Sequence, residues 1–585
     1  MTAEEAQPPN PVETTARWKI FAAVLLLVLA GLLAYANSFH GPLVFDDAAS
    51  ITNNPTLRQG LAGALQPPAN GETVTARPLL NLSFALNYAH GGEEVAGYHV
   101  VNLVIHLLAG LVLFGLVRRT LELPSLRERW GRASGMIAFA AALWWTLHPL
   151  QTESVTYVVQ RAESLAGLFY LLTFYGLARA MDSTREKWWL ALSATACLLG
   201  VFCKETLATA PLLALLYDRA FAAGSLAGAL RQRAKYYAAL AATWLPLAWL
   251  TWSAGGRGGS AGFGAGASVR DYALTQARAV ALYLRLSLWP SPLVFDYGNG
   301  VVKSAGEVAP QLALITALLA LTVYLLWKKP AAGFLGAWFF ATLAPSSSFI
   351  PIATETMAEH RMYLALAAVV VTVALTVRKI ADEWYFPLVA LAVAVALGGT
   401  TYARNRDYAA ATTLWSDTAD KVPDNPRAHE NYAAALMDED DAYTALFESR
   451  RALALQPDYP EAENSAGQAL ARLNHPETAA PHFARAAMGL RLPREKALAY
   501  FNLGSALGQK GFFDEALTAY TKSEELLPDY APTHNLRGYI FYRQGRYQAA
   551  VAEFEQALKL RPNFPQCEAN LADARAKLGL GVPAP

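Results

Sequence analysis

Apolar runs long enough to cross a bilayer recur through the first 404 residues. They confine this part of the chain to helices, because lipid offers no partner to an unpaired backbone N–H or C=O. The runs begin at 19–36 and continue at 98–117, 134–147, 164–180, 187–203, 206–217, 236–252, 309–327, 331–344, 361–377 and 385–402, about eleven spans of which several are short. Composition agrees, since 54% of the 585 residues are apolar and only 16% charged, against roughly 25% charged in soluble domains. A soluble enzyme is excluded. The first run follows Arg17 and Lys19 and ends in Ala34-Tyr35-Ala36. It reads as an uncleaved anchor rather than a signal peptide, because it outlasts the usual apolar core of such peptides and many spans come after it. A net charge of +1 without any basic tract leaves no footprint for nucleic acid. The three cysteines make no disulfide framework.

Basic residues in short loops stay on the cytoplasmic side. With the N-terminus inside, inner segments hold eighteen Lys/Arg, from Arg17 and Lys19 to Arg378 and Lys379, and outer loops hold ten. Residues 272–289 decide the parity of the later spans. Arg278 and Arg285 lie two helical turns apart on one face, the pattern of a helix lying in the membrane interface rather than crossing it. The outer loops are then 37–97, 148–163, 203–206, 253–308 and 345–361, with the C-terminal part on the same side. The glycine-rich stretch from Gly255 to Gly266 reads as a flexible lid or linker.

Charge divides the chain into two unlike parts: 19 Lys/Arg against 24 Asp/Glu from residue 405 onward, and 29 against 23 before it. The second part repeats itself. Gly504, Gly511, Ala516, Tyr520 and Pro528 recur 34 residues later as Gly538, Gly545, Ala550, Phe554 and Pro562. That period with small, aromatic and Pro positions marks tetratricopeptide repeats, paired antiparallel helices stacked into a solenoid. Arg404–Val422 reads as a helix joining the last span to three or four repeats, and 566–579 as a capping helix. The array is either a groove for a protein or peptide, or a spacer.

Charged residues at a membrane edge are costly and point to function. Asp46 and Asp47 lie just after the first span; adjacent carboxylates repel, which raises one pKa and suits a general base, although the pair can also cap a helix or be solvated. His148, Glu153, Arg161 and Glu163 sit in the second outer loop, Lys204 and Glu205 in the third, and Glu359, His360 and Arg361 before the tenth span. Arg161, Lys204, His360 and Arg361 offer donors for a lipid phosphate. Alternatively, Glu163, Glu205 and Glu359 neutralise these cations locally. His99 and His106 lie seven apart, not the four of a zinc pair, and read as packing or hydrogen bonding. No metal or cofactor is expected.

In order, Phe45-Asp46-Asp47…Asn54-Pro55, Arg77-Pro78-Leu79, Gly97-Tyr98-His99…Asn102…His106, His148-Pro149…Gln151-Thr152-Glu153…Tyr157…Gln160-Arg161-Ala162-Glu163-Ser164, Cys203-Lys204-Glu205-Thr206 and Met357-Ala358-Glu359-His360-Arg361-Met362-Tyr363 precede the repeats. This arrangement closely resembles the transmembrane and tetratricopeptide repeat-containing (TMTC) proteins over nearly the whole chain. The resemblance implies an all-α chain, with a polytopic GT-C-type membrane glycosyltransferase domain over 1–404 and a tetratricopeptide α-solenoid over 405–585. It implies protein O-mannosylation from a polyprenyl-phosphate sugar, with inversion, and maps the catalytic carboxylate onto Asp46, with Asp47 orienting it. Arg77, His99, His148, Glu153, Glu163, Glu205 and Glu359 are further candidates from the shared motifs. Compact loops and Ala-rich composition suggest a bacterial inner-membrane protein with its site and repeats in the periplasm, binding an acceptor protein and membrane lipid. Rival readings are a membrane-anchored scaffold and a transporter; the latter needs charges at mid-membrane depth, whereas these cluster at one edge.

Overall fold

The computed structural model describes residues 11–69, 72–254, 268–348, 351–352 and 355–579; the glycine-rich stretch lies outside them. The described residues form helices and no β-sheet. They divide into two compact units, Met1–Leu414 and Trp415–Pro585.

Among the described residues of the first unit, four helices are long and apolar enough to cross a membrane: Val95–Glu122, Ala305–Lys328, Glu359–Ile380 and Tyr385–Ala409. A fifth is reached if Glu205–Ala223 and Leu226–Ser253, bent by 117° at their junction, count as one span. About eleven were expected, and the shortfall has a physical cause. Ser134–Leu147 and Pro330–Leu343 have 14 residues each, about 21 Å at 1.5 Å per residue, against a hydrocarbon core of about 30 Å. Trp18–Ala34 is likewise short, and Arg161–Ala180 carries Arg161, Glu163 and Arg179. The helix Val269–Leu288 is amphipathic, with Tyr272, Val280 and Tyr283 buried and Arg285 exposed.

Close helix contacts fix the interior. Gly167, on Arg161–Ala180, meets the neighbouring helix Met362–Ile380 so tightly that a Cβ would lie 2.5 Å from the Tyr363 ring. Trp144 and Trp145, both buried, donate indole N–H bonds to the carbonyls of Ala390 and Tyr363 at 2.9 Å. Ala309–Lys328, by contrast, buries no residue, as expected of a helix facing lipid.

The second unit stacks four helix pairs, Pro426–Asp438 with Ala442–Leu455, Pro460–Arg472 with Pro476–Gly489, Pro493–Gln509 with Phe513–Leu526, and Ala531–Arg543 with Tyr547–Leu560, closed by Pro565–Lys577. Gly467, Gly504 and Gly538 face Phe483, Tyr520 and Phe554, where a Cβ would meet ring atoms at 2.8, 2.7 and 2.7 Å. This is the small-against-aromatic packing that the period implies. The turn between paired helices needs a left-handed residue, supplied by Gly511 and Gly545 but also by Asp440 and Asn474, at φ +66° and +63°. Asn and Asp tolerate that conformation better than other side chains. The single helix expected over Arg404–Val422 is broken into Tyr385–Arg404, a 3-10 turn Asp407–Ala409, and Ala411–Lys421.

Candidate active site

The five outer loops inferred from charge are stitched to one another by side chains from each. The first loop joins the second through Asp47, whose Oδ1 accepts the Val159 N–H at 2.7 Å while Oδ2 accepts the Val44 N–H at 2.9 Å. It joins the third through Arg77, which donates to Glu205 at 3.1 Å and to the Thr73 carbonyl at 2.7 Å. Lys204 donates to Glu163 at 2.6 Å, tying the third loop to the second. The last loop reaches the second through His360 and Glu153, and the fourth through Glu359, whose Oε1 accepts the Val294 N–H at 2.6 Å and the Tyr297 hydroxyl at 2.8 Å.

The two adjacent aspartates do different things. Asp47 is fully buried, and burial pushes its carboxyl up to about 8 against the pull of its two backbone donors, with the neighbouring Asp46 charge a smaller contribution. Asp46 is only partly buried. Its backbone N–H donates to the Tyr157 hydroxyl at 2.9 Å, and its carboxylate accepts from Thr73 at 3.2 Å. Phe45, just before it, holds φ +49°, a costly conformation for a bulky residue. Its ring lies edge-on to Phe295, which packs on Tyr157. An aromatic cluster thus holds the turn that presents Asp46.

Arg161 is not available to a ligand as expected. It is fully buried, donates to Asn102 Oδ1 at 2.6 Å and to the carbonyls of Ser83 and Tyr98 at 3.1 Å, and lies over the Phe84 ring at 4.5 Å. Arg361 also turns inward, onto the carbonyls of Glu355, Ser346 and Thr356 at 2.5, 3.1 and 3.2 Å. Burial pulls the Lys204 ammonium below its usual range, and Glu163 opposes this. His99 bonds the Gly41 carbonyl, and His106 bridges Tyr363 and the Thr146 carbonyl, the hydrogen-bonding roles expected of them. His148 contacts the Ser287 carbonyl and accepts the Leu150 N–H, and burial pulls it down to about 4.

His360 stands apart. Its Nδ1 lies 2.7 Å from Glu153 Oε1, and its backbone N–H donates to Glu153 Oε2 at 2.9 Å. Its Nε2 faces Glu355 Oε2 at 3.6 Å. Burial raises Glu153 to about 8, with Arg404 and Arg361 pulling the other way. Glu355, Tyr157 and Arg404 were not singled out from sequence as site residues. Tyr157 sits among the quoted motifs, Glu355 four residues before Glu359, and Arg404 opens the stretch read only as the joining helix.

A tetratricopeptide-repeat family model matches residues 501–566. The mouse protein O-mannosyl-transferase TMTC4 is 32% identical over 205 residues, covering 32% of this chain and 28% of its own. Drosophila melanogaster Tmtc1 is 36% identical over 193 residues, covering 32% and 21%. A protein O-mannosyl-transferase of Caenorhabditis elegans is 24% identical over 469 residues, covering 75% and 63%. The resemblance to the TMTC family is confirmed, and the chain spans less than a third of the length of the mouse and fly relatives. Among solved structures, PilW, a type IV pilus biogenesis factor, matches at 20% identity with a TM-score of 0.27, covering 34% of this chain and 88% of that one.

Proposed function

We propose that this chain is a membrane protein O-glycosyltransferase that moves one sugar, mannose foremost, from a polyprenyl phosphate to Ser or Thr hydroxyls with inversion. Asp46 takes the hydroxyl proton as the sugar leaves its phosphate, which is general-base catalysis. The names of the relatives support the reaction class, and the split between the two aspartates carries the choice of base. Asp47 is locked into the loop by two backbone donors, whereas Asp46 keeps a partly buried carboxylate on a strained turn. The cations retain a part as well. Lys204, Arg77 and Arg361, on loops joined to the one that carries Asp46, lower the cost of negative charge there, although their direct contacts are to protein.

An apolar groove of about 470 Å³ between the helices Pro11–Ala34, Ser134–Leu147 and Tyr385–Arg404, lined by Leu26, Ala30, Phe139, Leu143, Ala394 and Tyr402, suits an isoprenoid chain. Its upper wall is tied to the loops, since Thr401 donates to the Leu147 carbonyl at 2.7 Å and Asn405 pairs with Thr156 at 2.7 Å. In this reading the membrane unit has the GT-C arrangement, the repeats recruit the acceptor, and site and repeats share the extracytoplasmic side, the periplasm of a bacterial inner membrane. The test is Asp46→Asn in cells lacking the parent gene. Hexose on Ser/Thr of envelope proteins, read by mass spectrometry, should disappear while the thermal midpoint of the purified variant stays at the parent value. Unchanged glycosylation refutes Asp46 as the base and leaves the membrane-anchored scaffold as the better account.

A further inference from the structure

The expectation of a metal-free site rested on the spacing of His99 and His106. Folding brings together a different set: Glu153, Glu355 and His360, each with a ligand-type atom within 4.8 Å of the others'. Glu153 receives both the Nδ1 and the backbone N–H of His360, at 2.7 and 2.9 Å. With Glu153 ionised, a neutral imidazole carries its proton on Nδ1 and its lone pair on Nε2. That nitrogen belongs to a side chain only 5% exposed, and it makes no hydrogen bond among the described residues. It faces Glu355 Oε2 at 3.6 Å, and this carboxylate, 33% exposed, has no hydrogen bond among them either. A lone pair aimed at an anion is repulsive, and 3.6 Å is too long for a proton to bridge. Two ligands on one cation, by contrast, stand roughly 3.0–3.5 Å apart when each bond is about 2.1 Å.

Local charge points the same way. Lys204 is taken by Glu163, Arg77 by Glu205 and Arg404 by Asp407, while Arg361 donates to three carbonyls and pairs with Glu355 Oε2 only at 3.8 Å, too long for a hydrogen bond. Among the described residues, Glu153, Glu355 and Glu359 therefore have no Lys or Arg within hydrogen-bond distance. Asp46 adds a fourth carboxylate in electrostatic reach of Glu355.

We infer that His360 Nε2 and Glu355 Oε2 bind one divalent cation, with Glu153 acting behind them as the carboxylate that orients the imidazole. A carboxylate–histidine–metal relay of this kind fixes tautomer and ring angle. The mixed nitrogen and oxygen donors suit Mn²⁺ or Zn²⁺ better than Ca²⁺. With two protein ligands, most coordination positions stay open, to water or to the oxygens of a phosphate. The ion does not depend on the sugar-transfer reading; where that reading holds, it would lie within electrostatic reach of Asp46 and offset charge on a departing phosphate.

The full chain in detergent is titrated with Mn²⁺ alone, without donor or acceptor, and followed by electron paramagnetic resonance. Expected are one Mn²⁺ per chain and a ¹⁴N coupling from one imidazole. His360→Gln should abolish the coupling and, like Glu355→Gln, weaken binding at least tenfold. Glu153→Gln, a positioning change, should keep the coupling and weaken binding about 10–100-fold. His482→Gln in the repeats should change nothing. Absence of saturable binding by the parent chain overturns the inference, as does binding without a ¹⁴N coupling or binding that survives His360→Gln. The parent measurements decide even if a variant fails to fold. Because no sugar is present, their failure leaves the assignment of Asp46 standing.

Discussion

Lys204 and Glu163 allow the two roles of a buried cation, holding the fold and holding a ligand, to be measured apart. Their side chains are 9% and 7% exposed and the contact is 2.6 Å, so solvent screening is slight. Removing one partner of such a pair strands a buried charge and costs about 3–5 kcal/mol, whereas replacing both with apolar groups of similar volume is near neutral. Lys204→Met should therefore cost about 3–5 kcal/mol, Glu163→Met a similar amount, and the double variant should return to within about 1 kcal/mol of the parent. Equilibrium unfolding of the four proteins in mixed micelles reads the cycle directly. Sugar transfer by the double variant then separates the roles. If the pair only staples two loops, activity returns with stability; if Lys204 also meets the donor phosphate, stability returns alone. A cost below about 1 kcal/mol for Lys204→Met, the level of exposed pairs, would refute the reasoning about burial.

Asp47 and the repeat turns give two further outcomes. Asp47, held near 8 in the folded chain by burial, binds its proton more tightly than an unfolded carboxylate does. Its contribution to stability is thus complete below about pH 4 and is lost as pH rises toward 8, by up to about 1.4 kcal/mol per unit. Thermal unfolding of Asp47→Asn from pH 5 to 8 should show a flatter decline than the parent, and an unchanged slope would refute the assignment. In the repeats, Gly545 sits at φ +75°, so Gly545→Ala should lower stability by about 1–2 kcal/mol, read by urea unfolding of the full chain. No measurable loss would show that the turn relaxes freely.

The parts of the fold legible in the sequence were those with a strong period. The 34-residue repeat gave the paired helices and the positions of Gly504 and Gly538, because small-against-aromatic contacts recur with the repeat. It could not show that Asp440 and Asn474 take the glycine's place in two turns, since that depends on φ. Membrane segments were less legible. The run 134–147 has the same bounds as the helix Ser134–Leu147, but its apolar character made it look like a span although 14 residues reach only about 21 Å of a hydrocarbon core of about 30 Å. At the site, Lys/Arg placement marked five loops, and side chains do connect them. Charge alone, however, could not say which cations were already spent. Arg161 is consumed by Asn102, Ser83 and Tyr98, two of these contacts being to backbone carbonyls that leave no trace in sequence.

That consumption is a consequence of the setting. A cation taken from water into a buried loop cluster must recover its hydration from fixed acceptors, and the nearest are the carboxylates and carbonyls that the same motifs carry. The more basic residues such a motif contains, the fewer remain free for a ligand. The informative residues in a densely charged membrane-edge site are then those whose partners do not match. Asp46 qualifies because the neighbouring carboxylate, not its own, is locked into the backbone. His360 qualifies because one ring nitrogen is held at 2.7 Å while the other faces an oxygen at 3.6 Å. Both are imbalances within a single residue's surroundings, and both vanish from view when the loop is read only for its total charge.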